Sequence, residues 1–141
     1  MYKNILVAID LSPRSKLALE KANLTTNDIS YINLHATAAP LGDKNEIRAI
    51  DNLFDKNNMV INATKSILGH TLWSAAVNEL ISTAMQLEYG FWHETHGLTL
   101  PLNVGAKVLN LQDSIPDENV IAMSNAYGFG GFNCSIIYKS S

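Results

Sequence analysis

Two histidines, a lysine and a glycine-rich loop are the residues of this 141-residue chain whose types and spacing could do chemistry. His35 closes the apolar segment Ile29–Leu34. Lys65 and His70 stand five residues apart across Ser66, Ile67, Leu68 and Gly69, just ahead of Thr71–Gln86, a run in which Glu79 is the sole ionisable side chain. Gly128-Phe129-Gly130-Gly131 offers backbone amides that can approach a ligand closely. Imidazole N–H donors and exposed amides converging on one place suit a developing oxyanion, and histidine also moves protons near neutral pH. Each residue has a plain reading too. His35 can be a hydrogen-bonded residue at a strand end, His70 a helix cap, Lys65 a solvated loop lysine, and the glycine cluster a hairpin turn.

The elements that must position these residues follow from the apolar pattern. Tyr2–Asp10 carries a continuous run, Ile5 to Ile9, of the kind buried on both faces of a parallel sheet. Ser12-Pro13 opens a helix to about Ala22. After the polar turn Asn23–Asp28, Ile29–Leu34 reads as a second buried strand, which puts His35 at the carboxyl edge where open α/β sheets bind ligands. Ala36–Gly42 reads as a loop, Asp43–Lys56 as a helix with Ile47, Ile50, Leu53 and Phe54 on one face, and Met59–Ile61 as a short strand. Thr71–Gln86 is apolar around its whole circumference, so a helix with protein on both sides is expected, with Lys65 and His70 at its N-terminal mouth. Gly90–Asn103 reads as irregular, and Asn119–Met123 and Asn133–Tyr138 as paired strands about the glycine turn. Strand and helix in alternation define an α/β architecture with antiparallel pairing near the C-terminal end.

Composition sets the outer limits. A net charge of −3 argues against a nucleic-acid surface. Thr71–Gln86 is interrupted by Ser, Thr, Asn and Glu and is too polar for a membrane span. Ile5–Ile9 meets Asp10 at once, unlike a signal peptide. The single cysteine, Cys134, precludes an internal disulfide and fits a reducing cytoplasm. His93-Glu94-Thr95-His96 is one residue short of H-E-x-x-H and, flanked by Trp92 and Pro101, reads as a surface loop, so no metal is expected.

Three segments carry a resemblance. Ile32–Asp43 (I-N-L-H-A-T-A-A-P-L-G-D) resembles the histidine–glycine–threonine … proline … aspartate segment of β-ketoacyl-ACP synthases. Asn62–Glu79 resembles their K-S-x-x-G-H segment with the helix that follows, and Ser124–Cys134 (S-N-A-Y-G-F-G-G-F-N-C) their N-S-F-G-F-G-G-T-N loop. All three occur in the family's order, over about Leu17 to Lys139. The resemblance implies the C-terminal half of a thiolase-like fold, a mixed sheet with a buried central helix, over residues 23–141. It implies a decarboxylative Claisen condensation with malonyl-ACP. His35 and His70 would hold the thioester carbonyl and stabilise the enolate, with Lys65 ordering the site and Glu79 beneath it. Thr37 would bind the phosphopantetheine arm. The Phe129 amide would supply half of an oxyanion hole, its ring gating the acyl pocket beside Gly130 and Gly131. The substrate would arrive on acyl carrier protein, with no other cofactor.

The departures matter equally. Family members attack with a cysteine on a strand–helix turn of their N-terminal half, which this sequence does not contain. Cys134, in the last strand, takes a position that the family fills with a small residue, and it reads as a small hydrophobe. Ala36 stands for the usual glycine, Ala39 for a second pantetheine threonine, Trp73 for a small residue, Ala76 for a glycine and Phe132 for a threonine. Residues 1–22 resemble the first strand and helix of a universal stress protein, in which Asp10 would contact adenine nucleotide, but the phosphate loop such proteins need is not found later. Three functions stay open. One is a condensing-enzyme domain, inactive alone or completed in a homo- or heterodimer by a chain bearing the cysteine. The second is a non-catalytic module docking on a full synthase, and the third a nucleotide binder.

Overall fold

The computed structural model describes residues 19–20, 22–54, 59–102, 105–108 and 120–139. The expected strand Tyr2–Asp10, most of the helix after Ser12, and Asp10 itself lie outside the described residues. Strands β1 (Tyr31–Asn33), β2 (Val60–Asn62), β3 (Lys107–Val108), β4 (Ile121–Tyr127) and β5 (Asn133–Lys139) form one sheet in the order β3-β2-β1-β4-β5. β1 lies between β2 and β4 and is parallel to both, whereas β4 and β5 pair antiparallel. The mixed α/β sheet is as the sequence indicated, including its antiparallel C-terminal hairpin.

Helix α1 (Pro40–Leu53) begins three residues before the expected Asp43. Pro40 takes the first helical position, where its missing N–H costs nothing and its fixed φ suits the helix, and Asp43 falls in the first turn. Ile47 and Ile50 from α1, with Phe54, pack on Ile32, Ile61, Met123 and Ile137. The other sheet face presents Tyr31, Ala122 and Tyr138, which pack with Trp92 and with Leu80 and Leu87 from helix α3 (Ala75–Tyr89). Neighbours such as Tyr31 and Ile32 thus serve opposite layers, as the two-residue period of a strand requires.

Helix α3 is not enclosed on all sides in this chain. Its inward residues are Ala75, Glu79, Thr83 and Gln86. Trp73 is 100 % exposed just before it, and Val77, Ile81 and Met85 are about half exposed along it. The helix sets Glu79, Thr83 and Gln86 inward with Leu80 and Leu87 beside them, and leaves Val77, Ile81 and Met85 to solvent. The cause lies beneath it. The Tyr31 hydroxyl, Asn33, Asn62 and Thr64 are buried polar groups that need hydrogen-bonding partners. Gln86 supplies two, accepting from Asn62 Nδ2 at 3.1 Å and donating to the Tyr31 hydroxyl at 3.2 Å.

Candidate active site

The sheet gathers the candidate side chains because β1, β2 and β4 all point the same way. His35 follows the carboxyl end of β1, Lys65 and His70 follow that of β2, and Tyr127 ends β4, so one edge of the sheet receives all four. Between Lys65 and His70 the chain makes a single four-residue helical turn, α2 (Lys65–Leu68), stopped by Gly69. Gly69 has φ 72° and ψ −175°, a conformation almost confined to glycine, and its N–H closes on the Lys65 carbonyl at 2.9 Å. That reversal brings His70 back beside His35, with ring centroids 6.0 Å apart and planes at 86°.

Both imidazoles have their Nδ1 occupied by a donor. The Lys65 ammonium lies 3.3 Å from Nδ1 of His35, and the Leu72 N–H donates to Nδ1 of His70 at 3.1 Å. An ammonium and an amide N–H can only donate, so each neutral ring carries its proton on Nε2. His35 and His70 are therefore set as Nε2–H donors. Burial, followed by the charges of Lys65 and His70, holds the His35 pKa down to about 4, so this ring is neutral at ordinary pH. Lys65 also pairs with Glu79, both being buried, and the second Glu79 oxygen has no hydrogen-bond partner. Burial pushes the Glu79 carboxyl upward, partly opposed by Lys65.

A second carboxylate fixes the backbone of His35. Glu46, buried on α1, accepts the His35 N–H at 2.9 Å, the Ala36 N–H at 3.0 Å and Asn125 Nδ2 at 3.2 Å. It restrains Ala36 at φ 25°, on the positive side where glycine is at ease. The Tyr127 ring stands edge-on to His35 at 5.3 Å between centroids. Burial, with the Glu46 carboxylate nearby, raises the Tyr127 phenol well above its usual range, so it stays a neutral hydroxyl.

A cavity of about 570 Å³ opens at this edge, lined by Thr37, Asp43, Lys65 and His70 and, on its apolar side, by Leu98, Leu100, Pro101 and Leu102. Thr37 is thus placed with Lys65 and His70. The glycine loop, like the His35 side chain itself, is not part of the cavity wall. Gly128–Phe132 is the tip of the β4–β5 hairpin, closed by Gly128 N–H on the Phe132 carbonyl at 2.7 Å, with Gly130 and Gly131 at φ 85° and 82°. Phe129 is fully exposed, and neither it nor Gly130 nor Gly131 lines the cavity. Locally the plain hairpin reading describes this loop, and Tyr127 at its base is what touches His35. Cys134 is half-buried on β5, paired across the sheet with Ala126.

Nothing in the sequence assigns Glu46, Tyr127 or His93 a place at the site, although Glu46 lies just beyond the Ile32–Asp43 segment. Glu46 had a signal, a carboxylate one residue from Ile47 on the buried stripe of a helix. Residues 91–96 form a loop as expected, but His93 turns inward. Its backbone N–H donates to Gln86 Oε1 at 3.1 Å and its ring reaches Thr64 at 3.0 Å, while Glu94 and His96 stay outside, 3.8 Å from each other. Among the described residues, no group of three His, Cys, Asp or Glu is placed to hold a metal ion, and no helix is long and apolar enough to cross a membrane.

Comparison with known proteins gives the family to which this fold belongs. Residues 13–99 match the family model for the C-terminal domain of β-ketoacyl synthases. The chain belongs to this family of condensing enzymes, through their C-terminal domain. It is 37% identical over 112 residues to 3-oxoacyl-[acyl-carrier-protein] synthase 1 of Escherichia coli K12, covering 79% of this chain and 27% of that protein. It is also 37% identical over 123 residues to the polyketide biosynthesis malonyl-ACP decarboxylase PksF of Bacillus subtilis, covering 87% and 29%. A solved β-ketoacyl synthase from Burkholderia phymatum superimposes with a TM-score of 0.75 at 31% identity, over 97% of this chain and 34% of that one. The fold is thus the C-terminal part of the thiolase-like fold. The chain spans 27–34% of the length of these relatives.

Proposed function

We propose that this chain is the substrate-activating part of a condensing enzyme, which receives a malonyl thioester on the phosphopantetheine arm of an acyl carrier protein in the cytoplasm. The observation that carries the reading is the pair of imidazoles, each with Nδ1 occupied so that Nε2–H is free to donate. With the thioester oxygen between them, loss of CO2 leaves the C–C bonding electrons as an enolate. Its negative oxygen is stabilised by two donors already in place, an interaction stronger after CO2 departs than before. Lys65 keeps the His35 tautomer, Glu79 keeps Lys65, and Thr37, on the cavity wall, would hydrogen-bond the pantetheine arm. Without an acyl acceptor the enolate takes a proton at carbon and gives acetyl thioester. Carbon–carbon bond formation further requires an acyl-cysteine. Cys134 on β5 pairs with Ala126 rather than with Tyr127, the residue that meets His35, so we assign the nucleophile to a partner segment, in a homo- or heterodimer or on the same polypeptide.

The reading is tested with malonyl-ACP labelled at the free carboxylate. The chain should release labelled CO2, alone or with a cysteine-bearing N-terminal half, and His35→Ala and His70→Ala should each lower the rate by about 100-fold or more. No release in either setting, from folded protein, would remove the catalytic assignment. A second reading is favoured by one observation, the outward apolar stripe of α3. An inactive chain that binds a full synthase with micromolar or better affinity would be a docking module.

A further inference from the structure

The segment Trp92–His96 runs alongside Asn62–Ser66 and is tied to it residue by residue. Asn62 Nδ2 donates to the His93 carbonyl at 2.9 Å, and the Ala63 N–H to Thr95 Oγ1 at 3.1 Å. The Thr64 hydroxyl meets His93 Nε2 at 3.0 Å, and the His96 N–H donates to Ser66 Oγ at 2.9 Å. We propose that His93 is a positioning residue, one that fixes the Thr64–Lys65 turn and thereby the ammonium that sets the tautomer of His35. The proposal rests on the roles given above to Lys65 and His35.

Protons can be placed along the whole chain of contacts. His93 Nδ1 lies 2.9 Å from the Glu94 carbonyl, which can only accept, so Nδ1 carries the proton and Nε2 is an acceptor. Thr64 Oγ1 receives Asn33 Nδ2 at 2.5 Å, so its own proton is free to point at His93 Nε2, with the Ser82 hydroxyl more distant at 3.5 Å. Burial holds His93 below the usual histidine range, which keeps Nε2 an acceptor at neutral pH. Lys65 follows Thr64 directly and begins a helix of four residues, too short to be stable by itself. Its orientation is held from outside, by Glu79 at the Lys65 ammonium and by Trp92–His96 along Ala63, Thr64 and Ser66.

The test reads His35 without substrate, so its outcome is independent of whether the chain decarboxylates anything. The chain is labelled at histidine Cε1 and titrated by NMR, with His35→Asn giving the assignment. The groups facing His35 are Lys65, His70, Tyr127 and, at its backbone, Glu46. In His93→Phe the Thr64 hydroxyl loses its His93 acceptor and the Thr64–Lys65 turn shifts. The ammonium is drawn away from His35 Nδ1 while Glu79 still pairs with it, so the His35 midpoint should rise by about one unit. His93→Gln, whose side-chain carbonyl can accept the same proton, should keep the wild-type midpoint. Should His93→Phe fail to fold, Thr64→Val against Thr64→Ser makes the same comparison from the other side of the bond. A folded His93→Phe or Thr64→Val with an unmoved His35 midpoint overturns the proposal. So does an equal rise in all four variants, which would mean general loosening.

Discussion

The Lys65 ammonium touches Nδ1 of His35 at 3.3 Å and pairs with the Glu79 carboxylate, so one buried cation is donor to an imidazole on β1's edge and counter-ion to a residue on α3. Neither neighbour can be removed without changing what the ammonium does for the other. Losing one member of a buried pair leaves an uncompensated charge, which costs about 3–5 kcal/mol. Lys65→Met and Glu79→Gln should each destabilise on that scale or somewhat below it. The double variant should lose clearly less than the sum. Denaturant melts of the four proteins provide the cycle, and additive losses would mean the pair is not coupled.

The depressed pKa of His35 carries a stability consequence with a definite sign. The ring is neutral in the folded chain down to about 4, while in the unfolded chain it protonates near 6.5. Its contribution is therefore complete above pH 6.5 and is lost as pH falls toward 4. For a half-buried ring screened by solvent this amounts to about 1–2 kcal/mol. Comparing wild type with His35→Asn at about pH 7 and pH 4.5 isolates it from the other titrating groups. The wild type should lose more stability across that interval than the variant does.

Ala36 occupies a backbone conformation better suited to glycine, clamped there by Glu46. Ala36→Gly relieves strain of about 1–2 kcal/mol and gives back part of it as unfolded-state entropy. A net gain of about 0.5–1 kcal/mol is expected, measurable as a higher denaturation midpoint. A loss would show that the alanine methyl contributes packing that outweighs the strain.

The two tryptophans report different surroundings. Trp73 is fully exposed, whereas Trp92 is buried against Tyr31 with ring centroids 4.4 Å apart. Trp73→Phe should remove most of the emission that acrylamide can quench and leave a blue-shifted band from Trp92. If Trp73 is protected from quencher at high protein concentration and exposed at low, the apolar stripe is covered by association.

Much of the site could be read in the sequence because it rests on short-range chemistry. Gly69 is the residue that lets Lys65 and His70 fold back on one another, and the K-S-x-x-G-H spacing records that need. The sheet was legible too, since Ile29–Leu34 and the strands about Gly128–Gly131 carry enough apolar character to mark them. What escaped was sidedness. Thr71–Gln86 is apolar all round, so nothing in its period could say which stripe would meet the sheet. That choice was made by Asn33, Asn62 and the Tyr31 hydroxyl, three residues distant in sequence whose burial leaves polar atoms to be matched. His93 escaped for a related reason, as its partner Thr64 lies 29 positions away. The hairpin tip is the reverse case. Phe129, Gly130 and Gly131 do not line the cavity of the described chain, while Tyr127, at the hairpin's base, stands against His35.

The inverted orientation of α3 makes hydropathy a misleading guide to tolerance. In a saturation scan of the chain by itself, scored for abundance, polar replacements at Trp73, Val77, Ile81 and Met85 should be nearly silent or even improve yield. Apolar replacements at Glu79 and Gln86, which look conservative within so apolar a helix, should be the depleted ones. Scoring the same library for assembly with other chains would reorder the outward positions and leave the inward ones where they were. The helix thus keeps two separate records, one of folding and one of company.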